Sequence, residues 1–509
     1  MKRNIAFIVC LLLAASLFAS LKPVVSINPF FTFDNSPSGI ELGHGTWKQS
    51  VGLQNPDWWE TRQDYWNKAF DKMDFMNLGF VVDTDMIDIV SITDILQDSF
   101  MQFTNDGRIM SNVPFVNGAS VDLTFPRVSY IDYTNNGIYL SIGRRQIKWG
   151  PSTYDMAISN SQPFLDNFYG SYTTDISSKW DFTYSFMGIA YKHLFDVGVP
   201  ATGAPQSTFT HRFIFENDNI RLSFAELNNI YGKQASLLDF SPLALWHDNF
   251  QDDCSNVMIN VAAEGKIGPV RLYGTFTMDD FALGAEVAAG EKFGDKPTAM
   301  GFTAGIDLHL IDGEEVTESN FRYSDYVLAE KTFKERSGLN LSYEFFLCST
   351  FMYNRENNPA GQFTSPFQFN SIAGYVGKFY DDDAFYLGFK YGPNTMVNRV
   401  SLEYVDNPIQ AHVTAELISR GSYYINSPYN RTYFNAHADE LNAIRLSGAV
   451  INALKVEAGI SYALQDALVL KASAGFTKDL THGTQSIQAT LGSCISVCDI
   501  DWKNIFRQI

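Results

Sequence analysis

The sequence predicts an all-β fold, a transmembrane antiparallel β-barrel of about 18 strands with a small N-terminal helical element. Three observations carry the prediction: an export signal at the start, a period-two alternation of apolar and polar residues along most of the chain, and an unusual composition. Aromatic residues make up 15%, with Phe 41 and Tyr 25, yet the mean hydropathy is slightly negative. A protein that turns apolar groups outward and polar groups inward has this combination.

The export signal is MKRNIAFIVCLLLAASLFAS, residues 1–20. Lys2 and Arg3 precede an apolar run from Ile5 to Leu13, and small residues follow; this is the layout of a secretory signal peptide, too short to span a bilayer. No other window has the ~18 apolar residues that a membrane helix requires. Without Lys2 and Arg3, basic residues fall from 37 to 35 against 56 acidic, a net charge of about -21. Binding nucleic acid needs a clustered basic surface, so no nucleic-acid partner is expected. The later cysteines, Cys254, Cys348, Cys494 and Cys498, are too widely spread for a small disulfide framework.

The alternation is plain in several segments. Leu339, Leu341, Tyr343, Phe345 and Leu347 fall on one face, with Asn340, Ser342 and Glu344 opposite. Leu272, Phe276 and Met278 oppose Arg271, Tyr273, Thr275, Thr277 and Asp279. The same phase predicts strands around Phe385/Leu387/Phe389, Val413/Ala415/Leu417, Ile444/Leu446/Val450, Leu468/Leu470/Phe476 and Ile487/Ala489/Leu491. TNNG at 134–137, ENDN at 216–219 and EGKIG at 264–268 read as turns between antiparallel strands. A soluble sandwich shares the alternation but needs its apolar faces to meet in one core. Export, length and the lack of a domain break favour a closed barrel, apolar face to lipid and polar face to lumen.

The expected organisation is a signal peptide at 1–20, an N-terminal segment at 21–78 and a barrel over 79–509. Within the second, Trp59, Trp66 and Met73 recur seven apart beside Trp58, Tyr65, Ala69 and Phe70, with Pro56 near the start. That spacing predicts a helix, either a plug or cap of the barrel mouth or an ordinary packed helix. Ile92, Ile95, Leu96 and Phe100 form a second, shorter helical pattern.

In IYLSIGRRQIKWG the alternation fails at Gly143. Ile138, Leu140 and Ile142 mark the apolar face, and strict continuation would next expose Arg144, Gln146 and Lys148 to hydrocarbon, at ~2–4 kcal/mol for each cation near midplane. Either the strand leaves the membrane here or Gly143 permits a bulge that flips the phase. Both put Arg144, Arg145 and Lys148 at a rim or in the lumen.

This stretch also carries a resemblance. GRRQIKWGPS, followed by ISNSQPFLD at 158–166, resembles the Wzi capsule-assembly outer-membrane proteins through Gly143, Arg144, Gln146, Trp149, Gly150, Pro151, Asn160 and Pro163. The hairpin at 256–281, ending in Asp279 and Asp280, is similar to a second block of that family. The resemblance is loose across roughly 130–420 and fades toward both ends. It implies an outer-membrane barrel of about 18 strands, with a helical element on the periplasmic side, that holds surface polysaccharide on the cell in a lectin-like manner. The final residues FRQI depart from the terminal aromatic of many such barrels.

Sugar recognition needs rings to cover C–H faces and amides or Arg to bind hydroxyls. Between 421 and 440, Tyr423, Tyr424, Asn426, Tyr429, Asn430, Arg431 and Tyr433 supply both in one expected loop; ordering that loop or forming an aromatic girdle is the other use of such residues. Arg144, Arg145 and Lys148 could bind acidic sugar groups, or pair within the lumen with Glu344, Glu403 and Glu416. Trp149-Gly150-Pro151 reads as a turn. Asp381, Asp382 and Asp383 read as a solvated run, and Asp279 and Asp280 point to opposite faces if both lie in strand. No catalytic signature or metal-ligand spacing occurs, so neither an enzyme nor a cofactor or metal is expected. The expected partners are surface polysaccharide and outer-membrane lipid, with the barrel monomeric. A diffusion channel of the porin kind and a surface adhesin are the alternatives.

Overall fold

The computed structural model describes residues 21–35, 72–98, 100–104, 107–111, 121–123, 128–160, 165–190, 207–230, 246, 255–280, 299–314, 326–335, 337–353, 368–371, 374–375, 378–379, 383–422, 446–465 and 467–499. Among these, 18 strands form a closed antiparallel wall. In chain order they are β1 (Leu21–Ile27, continued by Phe30–Asp34), β2 (Lys72–Asp83), β3 (Ile87–Asp98), β4 (Val128–Asn135), β5 (Ile138–Lys148) and β6 (Leu165–Ser177). Then follow β7 (Trp180–Ala190), β8 (Ser207–Glu216), β9 (Ile220–Ile230), β10 (Ser255–Ile267), β11 (Val270–Asp280) and β12 (Ala299–Ile311). The last six are β13 (Gly338–Cys348), β14 (Thr395–Asp406), β15 (Ile409–Gly421), β16 (Val450–Gln465), β17 (Leu468–Asp479) and β18 (Gln485–Ser496).

The wall closes where β18 pairs with both pieces of β1, Ile27 facing Ile495 and Phe33 facing Ala489. Closure leaves no edge, so each wall strand has a partner on both sides, as hydrocarbon demands. One end of the barrel carries short turns, at 84–86, 136–137, 178–179, 217–219, 268–269 and 407–408. Asn136 and Gly137 both have positive φ, which matches the two-residue hairpin turn whose twist suits antiparallel strands. The EGKIG turn lies slightly later than expected, since Lys266 and Ile267 remain in strand and Gly268 and Pro269 reverse the chain. Apart from the short turn at 480–484, longer connections join the strands at the other end; in outer-membrane barrels short turns face the periplasm and long loops the exterior.

The two faces follow the predicted phase. On β13, Asn340, Ser342 and Glu344 are buried in the lumen, while Tyr343 is 43% exposed outside. On β11, Leu272 and Phe276 are exposed, and Arg271, Tyr273, Thr275, Thr277 and Asp279 are buried. Phe182, Tyr184, Phe213, Phe215 and Phe224 cluster on the outer face of β7–β9 near the short-turn end, as an aromatic girdle does at an interface.

Four sequence expectations change. Ile92, Ile95 and Leu96 lie in β3, and Phe100 opens a further strand, Phe100–Thr104. The helical pattern arose because β3 is apolar on both sides: Val90 and Ile92 face inward and pack with Val24, Val128 and Tyr326, which obscures the period of two. Leu387 and Phe389 are fully buried in a bend inside the barrel, so this apolar phase belongs to lumenal packing rather than a lipid-facing strand. Leu446 and Ser447 precede β16, which starts only at Val450. Lys72 and Met73 belong to β2; the rest of the predicted helical stripe, like the signal peptide, lies outside the described residues.

A single arginine on each face separates the lipid side from the lumen. Val261→Arg, at mid-strand on the outer face of β10, should cost about 2–4 kcal/mol of unfolding free energy in lipid vesicles. Ser473→Arg, on the exposed lumenal side of β17, should change it by no more than about 0.5 kcal/mol. Equal losses in a urea titration would contradict the facing assigned here.

Candidate functional site

Besides the bend at Leu387–Tyr391, two segments among the described residues fold into the lumen, and the GRRQIKWGPS stretch begins the first. Up to Arg145, β5 pairs with β6 in the wall. Beyond it, Gln146, Ile147 and Lys148 pair in parallel with a short strand, Val327–Ala329. The chain departs next to Gly143, whose φ is +145° and whose position leaves no room for a side chain. A Cβ there would lie 2.1 Å from the Ser129 carbonyl oxygen and 2.4 Å from the Tyr130 Cα. Glycine is thus required both by backbone conformation and by the close approach of β4.

The three cations separate accordingly. Arg145 is buried in the lumen, donating 3.0 Å hydrogen bonds to both oxygens of Asp132 and lying 4.1 Å from the Tyr130 ring centre. Lys148 is carried inward with the departing chain, among the charges of Lys334, Glu344, Arg271 and Asp155. Arg144 stays on the outer side, its Nε and Nη2 donating to the two carboxylate oxygens of Asp166 at 2.6 and 2.7 Å. Arg144 and Arg145 therefore do not pair with Glu344, Glu403 or Glu416; those carboxylates lie on β13–β15, across the barrel, and bind Arg399 and Lys334 instead.

The first inward segment, Trp149–Ser159, is almost wholly buried. Trp149 lies under the Arg212 guanidinium, 4.8 Å from ring centre to Cζ. The Gly150 amide donates to Glu330 at 3.1 Å, and the Pro151 carbonyl accepts from Arg271 at 2.7 Å. Asp155 accepts from the Ala157 and Ile158 amides, forming the local turn on which Met156 and Ile158 enter the inner core. Tyr353 donates its hydroxyl to the Met156 carbonyl at 2.5 Å. Asn160 is exposed at the end of this segment, and Pro163 lies outside the described residues.

The second segment, Tyr326–Glu335, crosses near the short-turn end. Tyr326 packs on Val90, Ile92 and Val128, and Glu330 pairs with Arg212 at 3.0 Å. The Phe333 amide donates to Glu264, Lys334 binds Glu403 at 3.0 Å, and Glu335 pairs with Lys266. The wall supplies matching hubs. Arg271 binds Glu264 at 2.5 Å and also Asp307; Glu344 accepts from the Thr153 amide, the Tyr273 hydroxyl and Arg399 at 2.7–3.0 Å. Glu416 accepts from the hydroxyls of Tyr154 and Tyr391. Buried charges persist only when paired and hydrogen-bonded, and this network ties each segment to the wall.

Asp279 accepts from the Tyr353 amide at 2.8 Å. Asp279 thus supports the inner core, while the Asp280 backbone ends β11 at a register shift. The lumen is less filled beside β16–β18, where Lys455 and Glu457 are half-buried and Lys471, Ser473 and Gln488 exposed. The aromatic loop residues Tyr423, Tyr424, Asn426, Tyr429, Asn430, Arg431 and Tyr433 lie outside the described residues, as do Asp381 and Asp382. Sequence reasoning missed Arg212, Arg271, Glu330 and Arg399 as organising groups. Their isolated inward positions on alternating strands carried only the signal of lumenal charge. No group of three potential metal-binding side chains occurs among the described residues.

Removing the central hub should be costly. Arg271→Ala leaves Glu264 and Asp307 buried without their cation, which is worth about 3–5 kcal/mol; heat denaturation followed by the folded-band shift in gels should show a clearly lower midpoint. An unchanged midpoint would mean that the inward segments are not held through this network.

No protein-family model and no curated protein matches the chain. Among solved structures, the fold is similar to Wzi of Escherichia coli, described as an outer-membrane protein involved in group 1 capsule assembly and a carbohydrate-binding β-barrel. The TM-score is 0.52 at 11% identity, with 95% of this chain and 86% of that one covered. Two proteins of Pseudomonas aeruginosa align less well: OccD3 (OpdP) with TM-score 0.41, 7% identity and coverage of 94% and 91%, and OccK8 (OprE) with 0.41, 9%, 94% and 98%. The Wzi similarity shows a shared fold: this chain is an 18-stranded barrel of the outer-membrane type.

Proposed function

We propose that this barrel resides in the outer membrane and holds surface polysaccharide at the cell surface rather than conducting solutes. The observation that carries the proposal is the hydrogen-bonded filling of the lumen by Trp149–Ser159 and Tyr326–Glu335. A barrel occupied by its own chain has little passage to offer, so its useful chemistry lies at the mouth. The motif that resembles the capsule-assembly proteins forms one of these filling segments. The fold similarity to a carbohydrate-binding barrel supports the same reading. The glycan-binding surface we assign is the expected loop with Tyr423, Tyr424, Asn426, Tyr429, Asn430, Arg431 and Tyr433, whose rings and amides suit sugar faces and hydroxyls.

A second reading, a narrow channel, rests on the exposed polar lining of β16–β18. Two measurements separate the readings. Purified barrel should retain the surface polysaccharide of its host in a pull-down, and replacement of Tyr423, Tyr424 and Tyr429 by Ala should reduce retention at least about tenfold, equivalent to ~1.4 kcal/mol. Undiminished retention in the triple variant would exclude this loop. Planar-bilayer recordings should show small or no conductance, and a large steady conductance would favour the channel.

A further inference from the structure

The outer face of the wall has a depression between β5 and β8, built from two adjacent rows of outward-facing residues. The strand registers align Ile142, Phe168, Gly188 and Phe209 in one row. The next row toward the long-loop end is Arg144, Asp166, Ala190 and Ser207. Together with Ser129 they line a groove of about 700 Å³. Gly188 makes the hollow: with no side chain of its own, it lets the Phe168 and Phe209 rings lie over it, 2.2 and 3.0 Å from where a Cβ would sit. Phe186 closes the lower side, 5.7 Å from the Phe168 ring and 6.4 Å from that of Phe209.

The groove is apolar below and polar above. Its lower row continues the lipid-facing surface of Ile138, Leu140 and Ile142, the last 63% exposed. Its upper row begins with the bidentate Arg144–Asp166 pair, whose side chains are 22% and 49% exposed. The step from the Ile142–Phe168–Phe209 row to the Arg144–Asp166 row is therefore the boundary between hydrocarbon and head groups on this side of the wall, where an amphiphile has its own change of polarity.

We infer that the groove binds a glycolipid of the outer leaflet, with one acyl chain against Ile142, Phe168 and Phe209 and sugar hydroxyls on the Arg144–Asp166 pair. The acyl chain follows from continuity with the lipid-facing belt, and the outer leaflet from the long connections at this end. The sugar head follows from the charges: Arg144 already holds a carboxylate, so the pair is neutral. The half-exposed oxygens of Asp166 are left to accept hydroxyl hydrogens. The inference rests on the outer face being in lipid, as does the location proposed above.

The test uses full-length protein extracted from the outer-membrane fraction, exchanged into a mild detergent and titrated by native mass spectrometry with monophosphoryl lipid A or dioleoyl phosphatidylethanolamine. Wild type should hold one lipid A at concentrations at least tenfold below those at which phosphatidylethanolamine binds. Ala190→Phe, which fills the groove from an exposed position, should weaken lipid A binding at least tenfold while keeping the heat-modifiable folded band. Asp166→Asn should erode the preference between the two lipids. Equal lipid A binding by wild type and Ala190→Phe, or phosphatidylethanolamine bound as tightly as lipid A, overturns the glycolipid site and leaves the membrane location standing. Absence of wild type from the outer-membrane fraction overturns both.

Discussion

Closure of the hydrogen-bond ladder, β18 onto β1, is the constraint on which the rest of the structure depends. An open sheet of this size would leave unpaired amides and carbonyls in hydrocarbon, each costing several kcal/mol. Once the ladder closes, every residue has a side: alternation sends one to lipid and the next to the lumen. The acidic excess of the chain, which would be a burden on an inward-packed core, then becomes manageable because carboxylates and guanidinium groups share an enclosed space. Glu344, with a backbone amide, a tyrosine hydroxyl and an arginine as donors, shows how completely a lumenal carboxylate is compensated.

The inward segments turn this polar interior into a packed one. Ion pairs removed from water return little net stability over well-packed apolar groups, but they are specific, since a misplaced partner leaves a bare charge. Arg212 illustrates both sides. Its guanidinium covers Trp149 and meets Glu330, joining the two segments at one point, and Ser223 on the neighbouring strand fixes its orientation. Apolar packing by Met156, Ile158, Phe346, Phe389 and Tyr353 then supplies the contact area.

The wall was legible in the sequence because lipid enforces a strict period of two, and residues such as Leu272 against Arg271 obey it without exception. The failure of that period at Gly143 was legible too, and the departure of the chain there explains it. What the sequence obscured was everything determined by the lumen. Ile92, Ile95 and Leu96 looked helical because an inner tyrosine needs an apolar patch on a strand that is also apolar outside, and Leu387 and Phe389 looked like a lipid-facing strand because an apolar lumenal bend has the same spacing. The pairing of Arg145 with Asp132, and not with a glutamate across the barrel, depends on which strands are neighbours. Periodicity assigns a face to each residue but does not assign its distance from residues on other strands.

The Tyr326–Glu335 segment has a consequence for the shape of the barrel. It belongs to a connection at the end where other links are tight turns, yet its contacts reach β3, β8, β10 and β14. One short stretch of chain therefore braces staves that share no hydrogen bonds with one another, and the cross-section of the barrel is held by its contents as well as by its ladder.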